Sequence, residues 1–310
     1  MSIADETIRP TLLAAGHKGT LFVTGLLDAG IQPFRVVSYR QRGDKADSFD
    51  HLVALCRGHG AAVEENRHPG IEGDTLVLVV GWQFLLRDGL DRCIVLHDSL
   101  LPQLRGFAPT VTAMLLGSEA IGVTAIRPDA GADSGPIYGS RSIKIAPGAS
   151  LQSILESQVR GMVDLAIEII QRATTGALTS RAQDHGAATY SLWRDDYDYF
   201  LDWRLSAADI LRHVQALGFP YDGAKGVLNN QVVTIRRASI GPELVFALRN
   251  PGKLWQVEGR RALVVCGSGT LWIDDARDDN GAAFHFSSLR ARFLTADTAW
   301  IAPFVAAQTR

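Results

Sequence analysis

Short, nearly unbroken apolar runs separated by helical segments recur through residues 1–180, and this rhythm constrains the fold more than any other feature. Leu76-Val77-Leu78-Val79-Val80 and Cys93-Ile94-Val95-Leu96 are apolar at every position. A strand with one face in water alternates apolar and polar side chains, so strands of this kind must be covered on both faces. Apolar runs at 11–16, 34–39 and 61–64 alternate with helical patterns over 19–29 and 48–58. Such alternation predicts an α/β fold with a doubly wound, mostly parallel sheet. Ligands bind such sheets beyond the carboxyl ends of the strands. Gly81-Trp82-Gln83 and His97-Asp98 stand at such ends.

A helix over 108–116 begins with a proline near its first turn and closes on Gly117. A strand follows at 122–126. The clearest helix, 150–173, has a serine at its start and apolar residues at Leu151, Ile154, Leu155, Met162, Leu165, Ile169 and Ile170. Residues 174–189 are small and polar, as in a linker. Beyond them come a helix near Ile210 and short strands at 231–235, 254–257, 262–266 and 270–273. Turn residues such as Asn229-Asn230 and Gly267-Ser268-Gly269 separate these strands, and the even spacing suggests a small OB-like β-barrel. The expected organisation is a catalytic domain over 1–180, an inter-domain segment over 181–205 and a C-terminal OB-like domain over 206–310.

The net charge of -2 supplies no global attraction to nucleic acid or to an anionic membrane. The segment after Tyr39 holds only Arg40, Arg42 and Lys45, a thin basic loop. Cys56, Cys93 and Cys266 are scattered and odd in number, as expected of reduced thiols. The first residues lack the pattern of a secretory leader, and no apolar run is long enough to span a bilayer. A cytoplasmic protein is expected.

Two segments carry chemistry. Val95-Leu96-His97-Asp98-Ser99-Leu100-Leu101-Pro102 ends a strand on a histidine and leads into Arg105-Gly106-Phe107-Ala108-Pro109. Downstream, Asp129-Ala130-Gly131-Ala132-Asp133-Ser134-Gly135 is a turn-rich loop that can return an aspartate to that histidine. His97 with Asp133 outlines a general acid/base pair. Asp129 equally suits a plain Asx turn. No HxH, HExxH or cysteine-rich spacing marks a metal site, so none is expected. Ser99 lacks the GxSxG surroundings of a nucleophile.

These segments resemble the folate-dependent formyltransferase family, which includes methionyl-tRNA, glycinamide-ribonucleotide and nucleotide-sugar formyltransferases. The family pattern Asn-x-His-x-Ser-Leu-Leu-Pro followed by Arg-Gly-x-x-Pro falls on residues 95–109, and Asp-x-Gly-x-Asp-x-Gly falls on 129–135. Asp202-Trp203, residues 220–224 and Pro251-Gly252 resemble the family's C-terminal module. The resemblance implies that 10-formyltetrahydrofolate is the formyl donor. It also implies that His97 and Asp133 are catalytic, and that Gly81, Trp82, Phe84, Leu85, Leu86, Asp129 and Gly131 bind the folate. Ser99, Arg105, Gly106 and Tyr221 are implied on the substrate side. The acceptor most in keeping with the Gly218–Gly223 stretch is a nucleotide-linked amino sugar, with a homodimer left open. A tRNA acceptor is disfavoured by the slightly acidic charge.

One position departs from the family. Side chains two apart in a strand share a face, so residue 95 lies beside His97. There the family presents an asparagine amide to the developing oxyanion; this chain has Val95. Losing one such donor costs about 2.7–4 kcal/mol. Gln83, at the neighbouring strand end, is a candidate substitute. Two further readings follow from the departure: a folate- or nucleotide-sugar-binding homologue with impaired turnover, or transfer from another acyl donor.

Overall fold

The computed structural model describes residues 8–41, 44, 46–86, 88–295 and 297–308; Arg42 and Lys45 of the basic loop lie outside the described residues. Along the chain the elements are β1 (Thr11–Ala14), α1 (Gly16–Asp28), β2 (Arg35–Ser38), α2 (Ser48–Gly58), β3 (Val63–Glu65), β4 (Val77–Val80), β5 (Cys93–His97) and β6 (Arg105–Gly106). There follow α3 (Pro109–Leu115), β7 (Ala120–Ile126), β8 (Ile137–Lys144), α4 (Leu151–Thr174) and β9 (Tyr190–Ser191). The remainder comprises α5 (Ala207–Ala216), β10 (Ala224–Leu228), β11 (Gln231–Ile240), β12 (Leu254–Glu258), β13 (Arg261–Val265), β14 (Thr270–Arg277), β15 (Phe293–Leu294) and α6 (Thr298–Gln308). The chain divides into two compact units. One holds residues 1–113, 119–146 and 153–192, the other 114–118, 147–152 and 193–310.

Among the described residues of the first unit, the main sheet has seven strands in the order β3-β2-β1-β4-β5-β7-β8. The first five run parallel, and β7 is antiparallel to both neighbours. The chain lays β2 and β3 on one side of β1 and then returns to lay β4 on the other. The order therefore reverses between β1 and β4, which opens a crevice at their carboxyl ends.

The all-apolar strands bury side chains on both faces. Leu12, Leu78, Ile94 and Leu96 pack with Phe22 and Leu26 of α1, Leu52 of α2, and Met162, Leu165 and Ile169 of α4. Each such side chain contributes about 1.5–3 kcal/mol through burial. On the opposite face, Leu13, Val77, Val79 and Cys93 are covered by Ile71, Trp82 and Leu86, which are loop residues. Among its described residues, the connection from β4 to β5 holds a single 3-10 turn, Leu90–Arg92. Helices thus cover one face of this part of the sheet, and irregular chain covers the other.

The small, polar stretch after α4, expected as an inter-domain segment from 181, makes ordered backbone contacts. Arg181 and Ile137 exchange backbone hydrogen bonds of 2.7 and 2.9 Å, Gln183 is buried, and β9 pairs in parallel with β6. Residues 181–191 are bonded into the first unit.

In the second unit, α5 starts at Ser206, whose Oγ accepts a 3.0 Å bond from the Asp209 N–H. Among the described residues of this unit, six antiparallel strands follow in the order β12-β13-β14-β11-β10-β15. The register of β11 against β14 slips between Ile235 and Ala238, an irregularity of the kind that bends a strand. The sheet curls until Phe293 N–H donates to Gly252 O at 2.9 Å and Leu254 N–H donates to Ala291 O at 3.1 Å. This is the barrel-like module expected from the turn spacing. Trp203, fully buried, stacks on Phe293 with ring centroids 4.8 Å apart. Among the described residues no helix is long and apolar enough to cross a membrane.

Candidate active site

Strand β5 ends on His97, which is 6% exposed. Its Nε2 lies 3.0 Å from the carbonyl oxygen of Leu104. A carbonyl only accepts, so Nε2 carries the proton and donates it. The other ring nitrogen, Nδ1, faces Asp133 Oδ2 at 3.6 Å. This leaves Nδ1 as the ring nitrogen with a carboxylate in front of it.

Asp133 reaches that place through a strained loop. Its backbone is in the left-handed region at φ 47°. Oδ2 accepts a 2.8 Å hydrogen bond from Gly106 N–H, and the carbonyl accepts one of 2.8 Å from Gln183 Nε2. Gly106 has φ 97°, and a Cβ there would meet Ser191 O at 2.5 Å. A Cβ on Gly135 would stand 1.8 Å from Arg127 O. Both glycines are required by close backbone approach. Asp129 takes the simpler of its two readings: Oδ1 accepts from Gly131 N–H at 3.0 Å and from Ser134 Oγ at 2.6 Å, an Asx turn.

Ser99 and Arg105, expected on the substrate side, are both buried. Ser99 is 1% exposed and donates its hydroxyl hydrogen to Gln103 O at 2.6 Å. Arg105 is 2% exposed, with Nε and Nη2 donating to Gln183 Oε1 at 3.2 and 2.7 Å and Nη2 donating to His185 Nδ1 at 3.2 Å. Both side chains brace the loops around His97.

Past β4, Gly81 precedes a wall of aromatic rings. Trp82 and Phe84 meet Tyr39 edge-on, with centroids 5.0 and 4.9 Å apart. The Trp82 Nε1 is buried with no hydrogen-bond partner. Tyr39 Oη accepts from Gln83 N–H at 3.3 Å, while the rest of Gln83 is exposed. Burial pushes the Tyr39 hydroxyl above its ordinary value. Leu86 packs on the apolar cluster beneath the sheet, and Leu85 is 87% exposed. Val95 is half-buried and packs against Leu101, Ile126 and Ile137. Tyr221 belongs to the second unit, edge-on to Tyr199 at 5.8 Å.

The sequence reading passed over three polar residues that serve this strand end. Lys18 Nζ lies 2.5 Å from Asp98 Oδ2, Thr110 Oγ1 donates to the same oxygen at 2.9 Å, and Gln158 Nε2 donates to Asp98 O at 3.1 Å. No local motif marks them, because they come from α1, α3 and α4 and meet only in the fold.

Models for the family match both parts of the chain: "Formyl transferase" over residues 76–161 and "Formyl transferase, C-terminal domain" over 195–293. The methionyl-tRNA formyltransferase of Geobacter metallireducens is 30% identical over 207 residues, which cover 65% of this chain and 65% of that protein. In fold the chain is similar to WlaRD, a sugar 3N-formyl transferase crystallised in the presence of dTDP and 5-N-formyl-THF. That match has a TM-score of 0.65 and 16% identity, over 90% of this chain and 100% of the other. It is also similar to an N-formyltransferase from Helicobacter canadensis in complex with folinic acid and dTDP-3-aminofucose, with a TM-score of 0.65 and 15% identity, over 89% and 100%. With both domain models matched in order across well over half of its length, the chain belongs to the formyltransferase family.

Proposed function

We propose that this protein is an N-formyltransferase that moves the formyl group of 10-formyltetrahydrofolate onto the amine of a nucleotide-linked amino sugar. The observation that carries the reading is the His97–Asp133 pair, 3.6 Å apart at the carboxyl edge of the sheet, inside the motifs that define the family. Residues of the first unit would carry the chemistry.

The chain has features that fit a folate. Trp82 and Phe84, backed by the buried Tyr39, offer aromatic surface to a flat heterocycle, and the unpartnered Trp82 Nε1 offers it a buried donor. Gly81, Leu85 and Leu86 flank this wall, and Asp129 and Gly131 shape the loop that brings Asp133 to His97. When bound, the donor supplies an acyl group carried on nitrogen, which needs a proton to depart.

His97 handles the protons. Its Nε2–H is committed to Leu104 O, so Nδ1 takes the proton from the acceptor amine and returns it to the departing nitrogen. Asp133 stabilises the imidazolium formed between these steps, and Gly106 N–H holds the carboxylate in place. Val95 gives no hydrogen bond to the oxyanion. Gln83 is the candidate for that task, and Gln83→Ala should lower turnover if it serves.

The charge balance supports a small acceptor. Residues 193–310 carry 14 Lys and Arg against 13 Asp and Glu, with no excess to drive RNA binding. The likeness to a methionyl-tRNA formyltransferase favours charged tRNA as the second reading. The protein would work in the cytoplasm.

Purified protein given 10-formyltetrahydrofolate and a panel of nucleotide-linked amino sugars and methionyl-tRNA tests both. Formylation of an amino sugar, lost in His97→Asn, is expected. Formylation of the tRNA alone would overturn the acceptor, and tight folate binding without any transfer would point to the impaired-homologue reading.

A further inference from the structure

Both members of the His97–Asp133 pair are held, by different bonds, from the same short segment. At one end of residues 183–191, Gln183 is 6% exposed, and its Nε2 donates to Asp133 O at 2.8 Å and to Gly135 O at 2.7 Å. Its Oε1 is filled by Arg105, so every polar group of the side chain is used. At the other end, Thr189 Oγ1 accepts from Leu104 N–H at 2.9 Å, and Thr189 O accepts from Arg105 N–H at 2.9 Å. Leu104 is the residue whose carbonyl receives His97 Nε2–H. Arg105 is followed by Gly106, whose N–H holds the Asp133 carboxylate.

We infer that residues 183–191 form a strap that sets the distance and orientation of the His97–Asp133 pair, with Gln183 and Thr189 as its positioning residues. Gln183 fixes the Asp133 backbone. Thr189 fixes the turn that carries the partner of His97. Leu104 itself has φ 56°, a left-handed conformation that a leucine adopts only under constraint, and the strap supplies that constraint. This inference rests on the proposed reaction for its kinetic effect, but its structural content does not depend on the acceptor.

The test uses Gln183→Met, Thr189→Val and Thr189→Ser in the full chain. Thr189 is exposed, so its variants keep the test open if Gln183→Met fails to fold. Two quantities are read: kcat and KM for formyl transfer, and the ring nitrogen chemical shifts of His97 by 15N NMR of the free protein. Gln183→Met and Thr189→Val should each lower kcat by up to about 10²-fold at nearly constant KM, as small misplacements of reacting groups do. Both should shift the His97 nitrogen signals. Thr189→Ser, which keeps the hydroxyl, should restore rate and signals. Unchanged His97 signals in both disruptive variants would overturn the strap, whatever the rates. Shifted signals in a protein that transfers no formyl group would uphold the strap and reject the reaction instead.

Discussion

Lys18 Nζ lies 2.5 Å from Oδ2 of Asp98, the residue immediately after His97. The ion pair ties the first turn of α1 to the end of β5, so the strand that carries His97 is anchored from the helix that opens the crevice. Gln158 is fully buried and reinforces the joint by donating to Asp98 O and Gly122 O, both at 3.1 Å.

This pair makes stability depend on acid. Burial opposes ionisation of Asp98, but Lys18, His97 and the Thr110 hydroxyl outweigh it and hold the carboxyl at about 2. The folded value lies below the unfolded one, so the stabilisation is fully present above about pH 4 and fades as pH falls toward 2. Asp98→Asn should therefore lower the unfolding free energy at pH 7 by about 2 kcal/mol. In urea denaturation the gap to the parent protein should narrow at pH 3. A gap that stays constant with pH would mean the ion pair contributes nothing.

His97 and Asp133 should behave as one unit. His97→Asn is expected to reduce kcat by about 10²–10⁴-fold, the range for loss of a positioned acid/base. Asp133→Asn should cost less. The double variant should be no worse than His97→Asn alone, because the carboxylate acts through the imidazole. Steady-state kinetics on the three proteins measure this, and losses that simply multiply would separate the two residues.

Val95→Asn restores an amide beside His97. A donor that reaches the oxyanion should raise kcat by about 10-fold or more. Because Val95 packs against Leu101, Ile126 and Ile137, the amide should also cost about 1–2 kcal/mol of stability. A folded variant with a lower rate would show that valine belongs to a differently built site.

Gly106→Ala should destabilise the protein by about 1–3 kcal/mol, since alanine is strained at φ 97° and its Cβ would meet Ser191 O. The same change displaces the N–H that holds Asp133, so kcat should fall with stability. Denaturant melts and turnover on one preparation check both. A stable variant with reduced kcat alone would still implicate the N–H; normal values of both would refute it.

Much of this was legible in the chain. All-apolar runs became β4 and β5, and the turn-rich loop from Asp129 to Gly135 did bring Asp133 to His97. Strand β8 was not legible: Tyr138, Ser140 and Arg141 are only partly buried and Ser142 is exposed on a sheet edge, so no apolar run marks it. The burial of Ser99 and Arg105 was not legible, because motif membership says nothing about which way a side chain turns. Gln183, Lys18 and Thr110 were invisible, being single polar residues far apart in sequence with no local period or spacing.

Local periodicity and motifs of fixed spacing were enough to place every strand of the main sheet except β8 along the chain and to identify the family. Only the tertiary structure decided that Nδ1 of His97 is the nitrogen facing Asp133, that Arg105 points inward, and that one strap holds both members of the pair. Such facts depend on hydrogen bonds between residues many positions apart, whose partners are fixed only when the backbone has folded and buried polar groups must find one another.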